Sequence, residues 1–134
     1  MFIECIVCDF DGVLGICPRW PIIDSINLEA VAILKTFQKA GGKVILCTAR
    51  EGIQLTYAVK ALREVDFKPD AVNENLPERI AKYGWDCRKV TGDVFIDDLS
   101  IDYTGDWVKY KSILLSPENL KHLRMKPRFK LNRK

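Results

Sequence analysis

Four aspartates raise the first chemical question: Asp9 and Asp11, two residues apart after one apolar run, and the adjacent Asp97 and Asp98 after another. Carboxylates brought together repel unless one is protonated or a cation lies between them. Oxygen donors with no cysteine or histidine among them suit a hard cation, and Mg²⁺ is the default choice. Zinc is disfavoured, because the single histidine, His122, lies far along the chain in a basic stretch. An aspartate beside such a cation can attack phosphorus and form an aspartyl-phosphate, splitting one hard step into two easier ones. A carboxyl two residues on can protonate the leaving group and later take the proton of the attacking water. The phosphoryl oxygens also need cations and hydroxyl donors around them. Thr48, Arg50 and a lysine ahead of Asp97 are the candidates.

The same region offers a rival, the C-x-x-C of Cys5 and Cys8. A redox pair of this spacing normally opens a helix, whereas this one lies within an apolar run. Residues three apart on a strand point to opposite faces. Both thiols are therefore expected to fill core, with no shared metal or disulfide.

The elements that must position the acids follow from hydrophobic periodicity. Residues 2–8, apolar apart from Glu4, read as a strand buried on both faces. Residues 25–40 read as a helix, with Ile26, Ala30, Ile33, Leu34 and Phe37 on one side, Asp24 or Ser25 as its cap and Gly41-Gly42 as its stop. Residues 43–47 are a second strand, 51–65 a second helix, 71–72 a short third strand, 77–83 a small helix and 93–96 a fourth strand; "SILL" at 112–115 reads as a fifth. Alternating strands and helices predict an α/β fold, a single-domain parallel sheet of Rossmann-like type. Ligands of such sheets bind at the carboxyl ends of strands, where strand order reverses. Polar residues do follow the apolar runs: Asp9 and Asp11, then Thr48 and Arg50, then Asn73-Glu74-Asn75, then Asp97 and Asp98.

With 134 residues, 48% of them hydrophobic, the chain is long enough for one domain with a proper core. No apolar run is long enough to span a membrane, and no basic segment precedes an apolar one at the start as in a signal peptide. Five scattered cysteines argue for reduced thiols in a cytoplasmic protein. Residues 1–115 carry 14 basic and 17 acidic residues, whereas 116–134 carry seven basic and one acidic. The chain thus divides into a body at 1–115 and a basic tail at 116–134. The tail reads as a solvated, partly disordered terminus, with attraction to nucleic acid as the alternative.

"DFDGVL" at residues 9–14 resembles the first motif of the haloacid-dehalogenase-like (HAD) phosphohydrolases, a hydrophobic strand ending in D-x-D-G. "VILCTAR" at 44–50 resembles their second, and "DVFIDD" at 93–98 their fourth. The resemblance spans about residues 2–115. It implies a three-layer α/β/α fold and a Mg²⁺-dependent phosphatase with Asp9 as nucleophile and Asp11 as general acid/base. It further implies that Asp9, the backbone carbonyl of Asp11 and Asp97 hold Mg²⁺, with Asp98 in or just behind that shell, and that Thr48 binds the transferring phosphoryl group. The third-motif lysine is Lys82 or Lys89, and Lys89 is preferred for its short connection to the fourth strand. Asp93 is expected to be structural, at the far end of that strand. Arg50, Asn73 and Asn75 resemble T-x-R-x-G and N-E-N segments of a small capless branch. Arg50 then either touches substrate or bridges to a nearby acid, and the asparagines either touch substrate or make turns.

Neither residues 12–24 nor 76–88 leave room for a folded cap. An open site suits a phosphorylated polymer end or protein, or a homo-oligomer in which a neighbour covers it. "ICPRWP" at 16–21 reads either as a packed loop or as a stiff flap near Asp11, through which Trp20 would reach substrate. Three functions compete on this reading: a phosphatase of small phosphomonoesters, a polynucleotide end phosphatase using the basic tail, and a non-catalytic binding module that keeps the fold.

Overall fold

A computed structural model describes residues 2–127 of the 134. In chain order the elements are β1 (Cys5–Cys8), β2 (Gly15–Ile16), β3 (Ser25–Ile26), α1 (Leu28–Lys39), β4 (Lys43–Leu46), α2 (Gly52–Glu64), β5 (Ala71–Val72), α3 (Pro77–Tyr83), β6 (Val94–Ile96), α4 (Trp107–Leu114) and α5 (Pro117–Met125). Four strands form one sheet in the order β5-β4-β1-β6, every pair parallel. This is the expected α/β architecture, and strand order reverses between β1 and β6. The chain first steps outward from β1 through β4 to β5, then returns to the other side of β1.

Right-handed crossovers explain which face each helix covers. The outward steps put α1 and α2 on one face, where Ile6, Cys8, Val44 and Leu46 meet Leu34 and Phe37 of α1 and Ala58 and Leu62 of α2 in the main core. The return step puts α3 on the other face, over the smaller cluster of Cys5, Val7, Ile45, Ala71 and Leu76. Each large side chain buried in this way contributes roughly 1.5–3 kcal/mol. The cysteines behave as strand geometry requires: Cys8 belongs to the first cluster and Cys5 to the second. Both are free and buried, and burial pushes the Cys5 thiol up to about 12, far from any reactive form.

Three expectations are corrected. The first helix begins at Leu28, capped by Asn27, whose Oδ1 accepts the Ala30 N–H at 3.2 Å. Ser25 and Ile26 instead pair antiparallel with Gly15 and Ile16, so the segment after Asp11 is a two-stranded hairpin. Residues 112–115 are not a fifth strand but the end of α4, because Trp107, Tyr110 and Leu114 repeat at helical spacing and face the main core. Asp106 caps this helix by accepting the Lys109 N–H at 3.1 Å.

The third correction concerns the tail. Residues 117–125 form a packed helix, opened by a Ser116 cap on the Asn119 N–H at 3.2 Å and by Pro117. Buried Asn119 accepts the Ile3 N–H at 2.8 Å and donates to the Ile3 and Leu114 carbonyls at 3.0 and 2.9 Å. The body therefore extends through α5. Lys121, Arg124 and Lys126 belong to its surface, and the basic residues from Arg128 onward lie outside the described residues.

Candidate active site

At the reversal point, β1 and β6 run side by side and end together. Their register pairs Cys8 with Ile96, and the Asp9 N–H donates to the Ile96 carbonyl at 2.9 Å. Carboxylate oxygens of Asp9, Asp97 and Asp98 consequently lie within 4.8 Å of one another. Gly12 makes room for them. It sits at φ +79°, and a Cβ there would collide with the Asp98 carboxylate. Burial pushes the Asp9 carboxyl up to about 7 despite the Phe10 N–H hydrogen bond, and the nearby charges of Asp97 and Asp98 push it the same way.

Three crowded oxygen donors, one of them resisting ionisation, are the donor set a hard divalent cation fits. Folding on Asp9 alone then has a definite pH signature. Between pH about 4 and about 7 the folded protein holds a proton that the unfolded chain has released, so stability falls as pH rises. We expect the melting temperature in chelator to drop across that window, Mg²⁺ to remove the drop, and Asp9→Asn to lack it. A flat profile for the wild-type chain in chelator would contradict this account.

A cavity of about 530 Å³ opens beside the acids, lined by Asp9, Asp97, Cys47, Phe95 and the two cations Arg88 and Lys89. Lys89 thus faces the same space as Asp9, its ammonium 5.9 Å from the centre of the Phe95 ring. Lys82 lies on the exposed side of α3 against Tyr83, outside this cavity. Asp93 takes the structural place expected for it, accepting the Glu4 and Cys5 N–H groups at 2.8 and 3.0 Å.

Asp11 goes elsewhere. Its carboxylate is gripped by the Arg50 guanidinium at 2.7, 2.9 and 3.1 Å, in a two-pronged ion pair. The Arg50 side chain is fully buried and the Asp11 side chain 28% exposed. The guanidinium lies 5.2 Å from the Phe10 ring centre and 5.6 Å from that of Trp20, which puts one aromatic ring from the β1 end and one from the hairpin against it. Burial raises the Asp11 pKa, but the Arg50 hydrogen bonds, helped by Cys17, the Arg50 charge and Trp20, outweigh it and hold the carboxyl below its usual range. Of the two readings open for Arg50, the bridge to an acid is the one the geometry takes. Asp11 joins no acid cluster through its side chain, so its expected part in metal binding concerns its backbone carbonyl alone. Trp20 packs on Arg50 while staying half-exposed at 59%.

Thr48 follows β4, and the pairing of Cys8 with Leu46 sets it one residue beyond the level of Asp9. Its Oγ1 accepts the Arg50 N–H at 3.1 Å, which leaves the hydroxyl proton to donate outward. Asn73 holds this loop in place. Its Oδ1 accepts the Thr48 N–H at 2.8 Å and its Nδ2 donates to the Arg50 carbonyl at 3.5 Å, from a backbone at φ +53°. With both ends of its amide engaged, Asn73 takes the turn reading of the two left open for it and positions the Thr48 loop.

Sequence reasoning missed how much Asn75 does. It is buried, and its Nδ2 donates to Asp86 Oδ1 at 2.8 Å and to the Cys87 carbonyl at 3.1 Å. Its Oδ1 accepts the Thr91 N–H at 2.8 Å and hydroxyl at 3.1 Å. One amide therefore ties together the loop that carries Arg88 and Lys89; the only signal was its place two residues after Asn73. Asn75→Ala leaves buried partners unmet, and we expect a loss of about 2 kcal/mol in urea unfolding.

No protein-family model and no curated protein matches the sequence. Among solved structures, the fold is similar to that of a conserved protein from Bacteroides thetaiotaomicron. The two share 30% sequence identity at a TM-score of 0.73, over 86% of this chain and 91% of that chain.

Proposed function

We propose, from its own motifs and site geometry, that this chain, which belongs to the same family as the conserved Bacteroides thetaiotaomicron protein, is a capless HAD-type, Mg²⁺-dependent phosphatase of phosphomonoesters. The observation that carries the reading is the meeting of Asp9, Asp97 and Asp98 at the reversal point, with Lys89 lining the cavity beside them. Asp9, Asp97 and Asp98 would hold Mg²⁺, which supplies positive charge among the carboxylates and the phosphoryl oxygens.

The chain's own residues account for the remaining steps. An Asp9 carboxylate oxygen attacks phosphorus as the ester P–O bond breaks, and the leaving oxygen takes its proton from water, because Asp11 rests as an anion paired with Arg50. Water then attacks the phosphorus of phospho-Asp9, its proton passes to Asp11, and the P–O bond to Asp9 breaks to release phosphate. Arg50 keeps Asp11 at rest as an anion, the form needed to take that proton. Lys89 and Thr48 stabilise charge on the phosphoryl oxygens. Hydrolysis of an aryl phosphate with Mg²⁺, its loss in chelator and its loss in Asp9→Asn test the proposal together. Full activity of the asparagine variant would sink it.

A further inference from the structure

A second cavity, of about 440 Å³, runs along β6 on the side where no described strand pairs with it. It exists because residues 112–115 close α4 instead of adding a strand, so that helix lies against an open strand edge. Phe95, Ile96, Asp97 and Ser100 line this groove and also the cavity that holds Asp9. The two spaces therefore adjoin at the end of β6.

The character of the two spaces differs. The phosphoryl-facing cavity holds Arg88 and Lys89. The groove is walled by Tyr103, Tyr110, Ile113 and Leu114, and among the described residues its charged groups are Lys109, Asp102 and the shared Asp97. The aromatic walls are held in place. The Tyr110 hydroxyl accepts the Thr104 and Gly105 N–H groups at 2.8 and 3.1 Å, and the Tyr103 hydroxyl donates to the Gly12 carbonyl at 3.4 Å. The last contact ties the groove wall to the turn that carries Asp9 and Asp11. The two tyrosine rings stand 6.1 Å apart, tilted by 36°. Phe95 and Ile113 are each 49% exposed, so apolar surface faces the groove uncovered.

We infer that this groove is the leaving-group subsite of the enzyme, and that it takes a flat, apolar ring system of about two fused rings. The inference rests on the phosphatase reading above. In-line displacement by Asp9 places the leaving group on the side of phosphorus facing away from Asp9, and the groove, which Asp9 does not line, adjoins the phosphoryl-facing cavity at Phe95, Ile96, Asp97 and Ser100. The volume lies within the range of small-molecule sites, and apolar walls with a few polar rim groups are their usual composition.

Two measurements on the full chain test this. In the first, 2-naphthol is titrated into the unmodified protein and into Ile113→Arg, and the methyl resonances of Ile96, Ile113 and Leu114 are followed. Saturable shifts of these methyls in the unmodified protein are expected, and loss of binding in the variant. In the second, kcat/KM of Ile113→Arg should fall about tenfold more for 2-naphthyl phosphate than for acetyl phosphate, which is too small to reach the groove. Turnover of both substrates with no methyl shifts, or equal losses on both, overturns the groove alone. Methyl shifts without turnover of any ester overturn the phosphatase reading and the leaving-group role with it.

Discussion

Asp9→Asn should abolish phosphomonoester hydrolysis, by at least about 10⁴-fold in kcat, while making the metal-free protein more stable. The two effects have one origin. The wild-type carboxyl is poised near 7 because burial and the charges of Asp97 and Asp98 oppose its ionisation. An amide of the same shape carries no charge into that cluster, and its oxygen still accepts the Phe10 N–H that Asp9 accepts at 2.8 Å. On the proposed reading, losing the nucleophile removes the covalent step, and losing the charge removes repulsion. Steady-state hydrolysis of an aryl phosphate and thermal melts in chelator at pH 7 check the pair of effects. Retention of more than about a tenth of the activity would refute the assignment of Asp9. A lower melting temperature would refute the account of the acid cluster.

Arg50→Ala is expected to cost about 3 kcal/mol of stability, the largest loss for a single charged residue among the described residues. Removal of the guanidinium leaves a gap between Phe10 and Trp20 and strips Asp11 of its hydrogen bonds. Asp11 is 28% exposed, so water reaches it in part, and the figure sits at the low end of what breaking buried pairs costs. Arg50→Lys should not restore the loss, since an ammonium cannot grip two carboxylate oxygens or stack between rings. Because the guanidinium is dry, the effect should change little with salt. The sign of its pH dependence follows from Asp11, whose folded pKa is depressed. The contribution is present above the unfolded value near 4 and disappears as pH falls through the lower folded value. Urea unfolding of wild type, Arg50→Ala and Arg50→Lys at pH 7 and pH 3 measures all three statements. A change below about 1 kcal/mol for Arg50→Ala at pH 7 would show that the pair is not the clamp described.

Deletion experiments on the basic end are constrained by α5. Removal of residues 117–134 takes away Asn119 and Leu123, which hold the start of the chain and the main core. Such a truncation disturbs folding, and a test of nucleic-acid attraction has to begin at residue 128. Among the described residues, no helix is long and apolar enough to cross a membrane.

The sheet was largely legible from sequence because its information is local. Apolar runs at Cys5–Cys8, after Lys43 in Lys43–Leu46 and at Val94–Ile96 identify strands, the first two buried on both faces, and acids directly after the first and last identify the strand ends that meet. The opposite facing of Cys5 and Cys8 follows from a period of two, needing no knowledge of neighbours. The apolar run at the end of α4 misled for the same reason: four residues of "SILL" cannot distinguish a strand from the last turn of a helix. Only the longer spacing of Trp107, Tyr110 and Leu114 against the core separates the two.

By itself, then, the sequence determined an α/β chain with carboxylates at the ends of two strands and the expectation of a cation between them. Tertiary structure alone decided the partners. Arg50 is bound to Asp11, 39 positions away, because both are drawn under Trp20 by a hairpin that periodicity did not reveal. Asn75 governs the Lys89 loop because its amide is buried where that loop returns. The groove beside β6 exists because the chain ends the sheet there and lays a helix along it. A strand is encoded by residues a few positions apart, whereas the partner of a buried charge or amide is chosen by which distant segments packing brings within 3 Å.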